Sequence, residues 1–263
     1  MRIQIKQTVA AAMLVAAGMF SAGAGAGVQQ AVDIKMQCLE TFGAFPVSFA
    51  VARALVPAEY ELVQYAPGVV ILWLPLQDCS SFKVNGEEVG RTPLNHVWLP
   101  VVGPQELVVV PGYGPAYRDY FYSVAEHATP SLIRQLAKQI GYEGHAIESL
   151  TLGALMPTTS GYGVRAGAVV EKVFGDGRYY GYRWIEQVFP TSSVGPIVHT
   201  YYHTKNAGKM GETDVRCGVL RTGEGYIQLT IDPQSDLAVF GTTLLGQSVD
   251  LTIDCSATMR QIK

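Results

Sequence analysis

Apolar positions along the chain fall mostly in short runs and two-residue alternations, the period of strands rather than helices. Residues 69–76 are apolar almost throughout and predict a strand buried on both faces. Residues 94–102 repeat that pattern up to Gly103-Pro104, and residues 106–110 follow, ended by Pro111-Gly112. Residues 118–125 alternate less cleanly. Farther on, residues 164–174 and 178–188 flank Gly175-Asp176-Gly177, and residues 214–221 and 226–231 flank Thr222-Gly223-Glu224-Gly225. Both glycine-rich breaks predict hairpin turns, because glycine reaches positive φ at little steric cost. Residues 248–254 predict a last strand. One segment keeps a helical period instead: Leu132, Ile133, Leu136 and Ile140 form an apolar stripe opposite Arg134, Gln135, Lys138 and Gln139. Thr129 supplies a cap, Pro130 suits the first turn, and Gly141 ends the helix. The expected fold is mainly β, an antiparallel β-barrel or closed double sheet with one packed amphipathic helix. Polar turn residues over 156–161 separate two β-rich halves. A closed architecture leaves fewer strand edges exposed, so residues 27–263 are read as a single domain enclosing a small-molecule cavity.

Composition narrows the functional classes. Charged residues make up 16% of the chain, against about 25% for an average soluble domain. The net charge of −3 builds no basic field, which excludes nucleic acid as a partner. The first segment reads as a targeting sequence. Arg2 and Lys6 precede an apolar run over residues 8–20, and Ala22-Gly23-Ala24 and the following Gly25-Ala26 offer small residues to a signal peptidase. The run is too short for a bilayer, which needs about 20 residues, and no cysteine lies nearby to carry a lipid. Residues 1–26 are therefore read as a signal peptide and the mature protein as periplasmic or secreted, with no stable membrane anchor. Its removal takes away two basic residues and moves the net charge from −3 to −5.

Export changes how the cysteines read. Cys38, Cys79, Cys217 and Cys255 all fall in the mature chain, without C-x-x-C spacing. An even count in an oxidising compartment predicts two disulfides rather than a metal site, with all three connectivities open.

Familiar catalytic signatures are absent: no G-x-S-x-G, no P-loop, no H-E-x-x-H. His199 and His203 have the four-residue spacing of helical metal ligands. The intervening Thr200, Tyr201 and Tyr202 favour a strand, where these positions stand about 13 Å apart at 3.3 Å per residue. They cannot share one ion; His199, Tyr201 and His203 can instead line one face of a ligand cavity. Tyr182 and Trp184 alternate with Arg183 on another predicted strand. These three are candidates for binding an aromatic or carboxylate-bearing molecule, with core packing as the bland alternative. No metal or organic cofactor is implied.

Two stretches carry a family resemblance. Pro93-Leu94-Asn95-His96-Val97-Trp98-Leu99-Pro100-Val101 resembles the P-Y-x-E-V segment and following strand of acetoacetate decarboxylase-like proteins. Ile140-Gly141-Tyr142-Glu143-Gly144-His145-Ala146-Ile147-Glu148 is similar to that family's W-G-[FY]-P-K-K-L-A stretch, and Val56-Pro57-Ala58-Glu59-Tyr60 to its V/L-P-x-G-[FY] opening. The resemblance spans residues 50–190 and implies a β-barrel with an internal, largely apolar cavity. The family's Schiff-base lysine has no counterpart: Gly144 and His145 stand at the lysine positions, Glu143 replaces the proline, and His96 replaces the glutamate. Imine-based decarboxylation at that position is thereby excluded. Lys138 is a poor substitute on the polar helix face, and Lys172 is the other amine considered. His96 and His145, with Glu148 as a carboxylate partner, are instead candidates for general acid–base work near neutral pH.

The leading reading is an exported cavity protein with lyase, hydratase or isomerase chemistry on a small apolar or aromatic oxygenated molecule. The rival is a lipocalin-like carrier using the same cavity only to bind; an adhesion protein would have no cavity. Convergence of two histidines and a carboxylate on one pocket favours the enzyme. The sequence fixes neither ligand nor oligomeric state.

Overall fold

The computed structural model describes residues 31–140, 142, 144–157, 163–173, 179–204 and 210–262. The expected signal peptide, Glu143 and the Gly175-Asp176-Gly177 turn lie outside the described residues.

Thirteen strands and two α-helices follow one another among the described residues. The first half contains β1 (Ala31–Ser48), α1 (Phe49–Leu55), β2 (Val69–Val84), β3 (Glu87–Glu88), β4 (Thr92–Pro100), β5 (Leu107–Val110) and β6 (Gly114–Ala128). Next come α2 (Pro130–Ile140), β7 (His145–Ala146), β8 (Ser149–Leu152), β9 (Met156–Pro157) and β10 (Gly163–Val173). The last are β11 (Tyr179–Thr204), β12 (Met210–Ile231) and β13 (Thr243–Ile262).

Neighbouring strands pair antiparallel in the order β6-β4-β2-β1-β13-β12-β11. A parallel pairing of β11 with β6, from Val198 opposite Arg118 to His203 opposite Ser123, then joins the two ends of that row. The result is a ring of seven strands. This matches the mainly β, closed architecture expected from the alternation, although the closing pair is parallel.

The ring strands are long because each serves two layers. β11 runs for 26 residues and β12 for 22, against roughly 5–6 for an ordinary strand. Register shifts at Gln37/Cys38, Val97/Trp98, Pro190/Ser193 and Arg221/Gly223 bend them, as extra residues in a ladder do. Past the bends, the first half of β11 pairs with β10 and leaves the ring. The protein consequently has two large apolar clusters. One lies inside the ring and includes Phe82, Trp98, Phe121 and Ile253. The other packs Leu72, Leu74 and Leu99 against Tyr182, Trp184 and Leu229.

The hairpin expected at residues 222–225 is absent, and the segment instead lies within β12. Glycine here allows bending without reversal. A Cβ at Gly225 would come within 1.8 Å of the Gln187 carbonyl oxygen, and one at Gly223 within 2.3 Å of Val188 Cγ1. Side-chain-free positions let the bulged strand stay between β11 and β13.

The expected helix forms as α2, with Leu132, Leu136 and Ile140 buried. Thr129 caps it, its Oγ1 accepting from the Leu132 N–H at 3.4 Å. A second helix, α1, has no counterpart in the sequence expectation. The Arg53 guanidinium near its end donates to the carbonyls of Tyr60 at 2.6 Å and Pro57 at 2.5 Å, bracing the turn that follows.

Two disulfides clip adjacent strands, Cys38–Cys79 joining β1 to β2 and Cys217–Cys255 joining β12 to β13. Thiol titration in non-reducing denaturant should find no reactive cysteine. Replacing Cys217 and Cys255 together by serine should lower unfolding free energy by about 3–4 kcal/mol, the loop-closure expectation for this separation. Two or more free thiols per chain would contradict the pairing.

Candidate functional site

Alternation along the ring strands turns their inward side chains onto a cavity of about 700 Å³, the size of a small-molecule site. From β1 come Ile34, Met36, Glu40 and Phe42; from β2, Trp73 and Gln77; from β4, His96 and Trp98; from β6, Phe121; from β11, His199 and Tyr201. Leu132 and Leu136 of α2 cover the end where Leu94 pairs with Ala128. At the opposite end of β4 the wall continues through Val102, Gly103, Pro104 and Tyr120, and Val102 is exposed.

Trp98 is the hub of the wall. Its ring centroid lies 4.9 Å from His199, 5.1 Å from both His96 and Tyr201, and 5.3 Å from Phe121. Phe42 and Trp73 form a second pair, at 4.8 Å. Against these rings stands one buried carboxyl. Glu40 Oε2 accepts from Gln77 Nε2 at 2.5 Å. Three buried polar atoms on the same wall, Gln77 Oε1, His96 Nδ1 and Trp98 Nε1, have no hydrogen-bond partner among the described residues. Such atoms are rare and costly unless a ligand or solvent meets them.

Burial sets the charge states. Desolvation pushes the Glu40 carboxyl up to about 7 despite the opposing hydrogen bond from Gln77. It holds His96 down to about 3, helped by His199 and His127, and His199 down to about 4. The Tyr201 phenol is raised for the same reason. Near neutral pH the cavity therefore presents two neutral imidazoles and a carboxyl poised between its two forms. For His96 this departs from the unperturbed titration expected from the sequence.

Charge at the rim is compensated. Arg118 Nη1 lies 2.6 Å from Asp214 Oδ1 and 2.7 Å from Thr200 Oγ1, and its Nε lies 2.7 Å from Glu106 Oε2. No lysine lines the cavity among the described residues. Nor does any group of three His, Cys, Asp or Glu side chains there have the arrangement to hold a metal ion.

Of the residues singled out from the sequence, His96, His199 and Tyr201 share this cavity. His203 lies beyond its lining, packed against Tyr142 and Tyr201 at 5.6 and 5.9 Å, over Gly211, where a Cβ would meet its ring. Tyr182 and Trp184 fill the second apolar cluster, and Arg183 is exposed on the opposite face. All three precede the bend at Pro190/Ser193, which carries their half of β11 out of the ring. The Tyr182 hydroxyl donates to Asn95 Oδ1, so its polar end is used inside the protein. Glu148 is exposed, its N–H donating to the Val170 carbonyl at 2.6 Å. His145 pairs through β7 with His127 of β6, and its side chain lies outside the described residues. Sequence reasoning missed Glu40, Gln77 and His127, the last lining the cavity with Nε2 3.3 Å from Glu171 Oε1. The available signal for Glu40 was its phase, for it shares the even positions of Ile34, Met36, Cys38 and Phe42, which alternate with Lys35, Gln37 and Thr41 except at Leu39.

A ring of strands around an apolar cavity, backed by a second curled layer, is the acetoacetate decarboxylase-like fold. An acetoacetate decarboxylase-like enzyme from Sphingomonas wittichii RW1 superposes with a TM-score of 0.53 at 11% identity, covering 89% of this chain and 93% of that one. The acetoacetate decarboxylase of Legionella pneumophila gives 0.50 at 10% identity, covering 95% and 98%. The enduracididine biosynthesis enzyme MppR, solved with pyruvate, gives 0.51 at 13% identity, covering 86% and 88%. No family model matches the sequence, and neither does any curated protein. The likeness is one of fold.

The raised carboxyl makes a stability prediction with a definite sign. The native state binds the Glu40 proton more tightly than the unfolded chain, so this group favours folding below 4.5 and progressively less up to about 7. The histidines act oppositely, withdrawing stability as pH falls below 6.5 toward 4 and 3. Glu40→Gln removes only the first effect. Its stability relative to the native protein should rise by about 2–3 kcal/mol between pH 5 and pH 8 in urea titrations. Parallel pH curves would show that Glu40 is not held as described.

Proposed function

We propose that this protein is an exported enzyme of the lyase, hydratase or isomerase type, moving protons on a small apolar oxygenated molecule held inside the ring. The observation that carries this reading is Glu40: a carboxyl aimed into an aromatic-walled cavity and held near neutral pH by burial. A general base is most effective when its pKa lies near the working pH. In this reading the Glu40 carboxylate takes a proton from a carbon beside a carbonyl group and returns it elsewhere on the same framework. Neutral N–H groups of His96 or His199 and the indole of Trp98 hydrogen-bond the oxygen that gains negative charge. Because no lysine lines the cavity among the described residues, we read the route as passing through an enolate rather than an imine. Export is supported by the pattern of residues 1–26 and by the two disulfides. N-terminal sequencing of exported protein should begin after Ala24 or Ala26, and material beginning at Met1 would contradict it.

The predominantly apolar lining favours a second reading, a lipocalin-like carrier in which Glu40 only anchors the ligand. The two part experimentally. Aryl ketones and enones incubated with the protein in deuterated buffer should exchange protons next to the carbonyl, followed by NMR. Glu40→Gln should slow exchange by about 10²–10⁴-fold while binding persists. Binding without exchange in the native protein would establish the carrier.

A further inference from the structure

We propose that the cavity is selective for charge, accepting an uncharged ketone, aldehyde or alcohol of aromatic character and rejecting the corresponding carboxylate. This rests on the reading of the cavity as a ligand site and adds the class of molecule it takes.

The inference follows from which charges face the cavity and which are already used. An entering carboxylate needs a cation or several aligned donors to offset its desolvation. Lysine is missing from the described lining. The two arginines there are Arg118 and Arg221. Arg118 is bound by Asp214, Thr200 and Glu106 at 2.6–2.7 Å, with its side chain 6% exposed. Arg221 is 3.7 Å from Glu224 Oε2 and half-exposed. His96 and His199 are uncharged, for the burial reasons given above, and His127 already faces the Glu171 carboxyl, with Nε2 3.3 Å from Oε1. The acid deep in the wall is Glu40, raised by burial to about 7 and so mostly ionised at pH 8, where it has the same sign as a carboxylate. Two like charges in a site of low dielectric repel by several-fold more than they would in water.

The unpaired polar atoms point the same way. Trp98 Nε1 offers a donor, Gln77 Oε1 an acceptor, and His96 Nδ1 either, depending on tautomer. The indole N–H can serve a neutral carbonyl oxygen, and together with the Gln77 oxygen it can serve a hydroxyl. One or two neutral donors offset little of a carboxylate's desolvation. Phe42, Trp73 and Phe121 complete the apolar surroundings an aryl group would occupy.

A matched pair of probes tests this, 4-phenylbutan-2-one and 3-phenylpropanoate, which differ mainly in replacing a methyl ketone by a carboxylate. Their binding to the disulfide-intact mature protein at pH 8 is followed by calorimetry and by quenching of Trp73 and Trp98, which line the cavity. The ketone should bind at least tenfold more tightly. Glu40→Gln, checked for native unfolding behaviour, should shift the ratio of the two affinities at least fivefold toward 3-phenylpropanoate. Carboxylate binding equal to or tighter than the ketone's would overturn the charge selectivity and leave the cavity reading standing. So would carboxylate binding that is unmoved by Glu40→Gln and lost in Arg118→Gln, which would locate an anion site at the rim. Failure of both probes to quench or release heat would remove the ligand-site reading, and the selectivity with it.

Discussion

Six register pairs between β6 and β11, running parallel from Val198–Arg118 to His203–Ser123, turn a row of antiparallel strands into a ring. Everything chemical about the protein depends on that closure. With β6 and β11 apart, Phe121 and His199 would stand on opposite edges of an open sheet, exposed to water. Joined, their centroids lie 5.9 Å apart, around the same Trp98. The pairing also explains Arg118, which sits at the first of these pairs. Its ties to Thr200 on β11 and Asp214 on β12 fasten the seam with charge-assisted hydrogen bonds. An arginine that would otherwise guide anions inward is committed to holding the wall.

Inside that wall the main tension lies between apolar packing and a few polar groups that do not contribute to it. A carboxyl with one hydrogen bond, among aromatic rings, is a cost to folding. The second apolar cluster, where Leu72, Leu74 and Trp184 are almost fully buried, supplies stability away from the cavity, and the two disulfides add theirs within the ring. The division lets one side of β2 and β4 be densely packed while the other remains open to a ligand.

The strand periodicity, the amphipathic helix over residues 130–140 and the presence of histidines on the cavity wall were legible in the sequence because each depends on local spacing. Three features were not. Residues 222–225 look like a turn, yet glycines serve a bulge equally well, and only the flanking strands select between the two. Tyr182 and Trp184 have the alternation of a binding strand, and their fate depends on a bend eight residues from Tyr182, at Pro190. Glu40 was overlooked because the alternation inverts just before it: Leu39 is exposed and the acid beside it is buried. The resemblance in residues 93–101 and 140–148 held at the level of architecture.

One seam of the ring joins strands from far ends of the sequence. β1 pairs with β13 from Ala31–Arg260 to Ala44–Gln247, contacts separated by some two hundred positions. Pairings of such high contact order form slowly, because the loop they close must be ordered before it is rewarded. Until β13 arrives, β1 has a partner only in β2, and its other edge is open. For a chain made from its N-terminal end, this fixes an order of events. The β1–β2 pair and its disulfide can assemble first, and the cavity takes shape only after the last strand has joined.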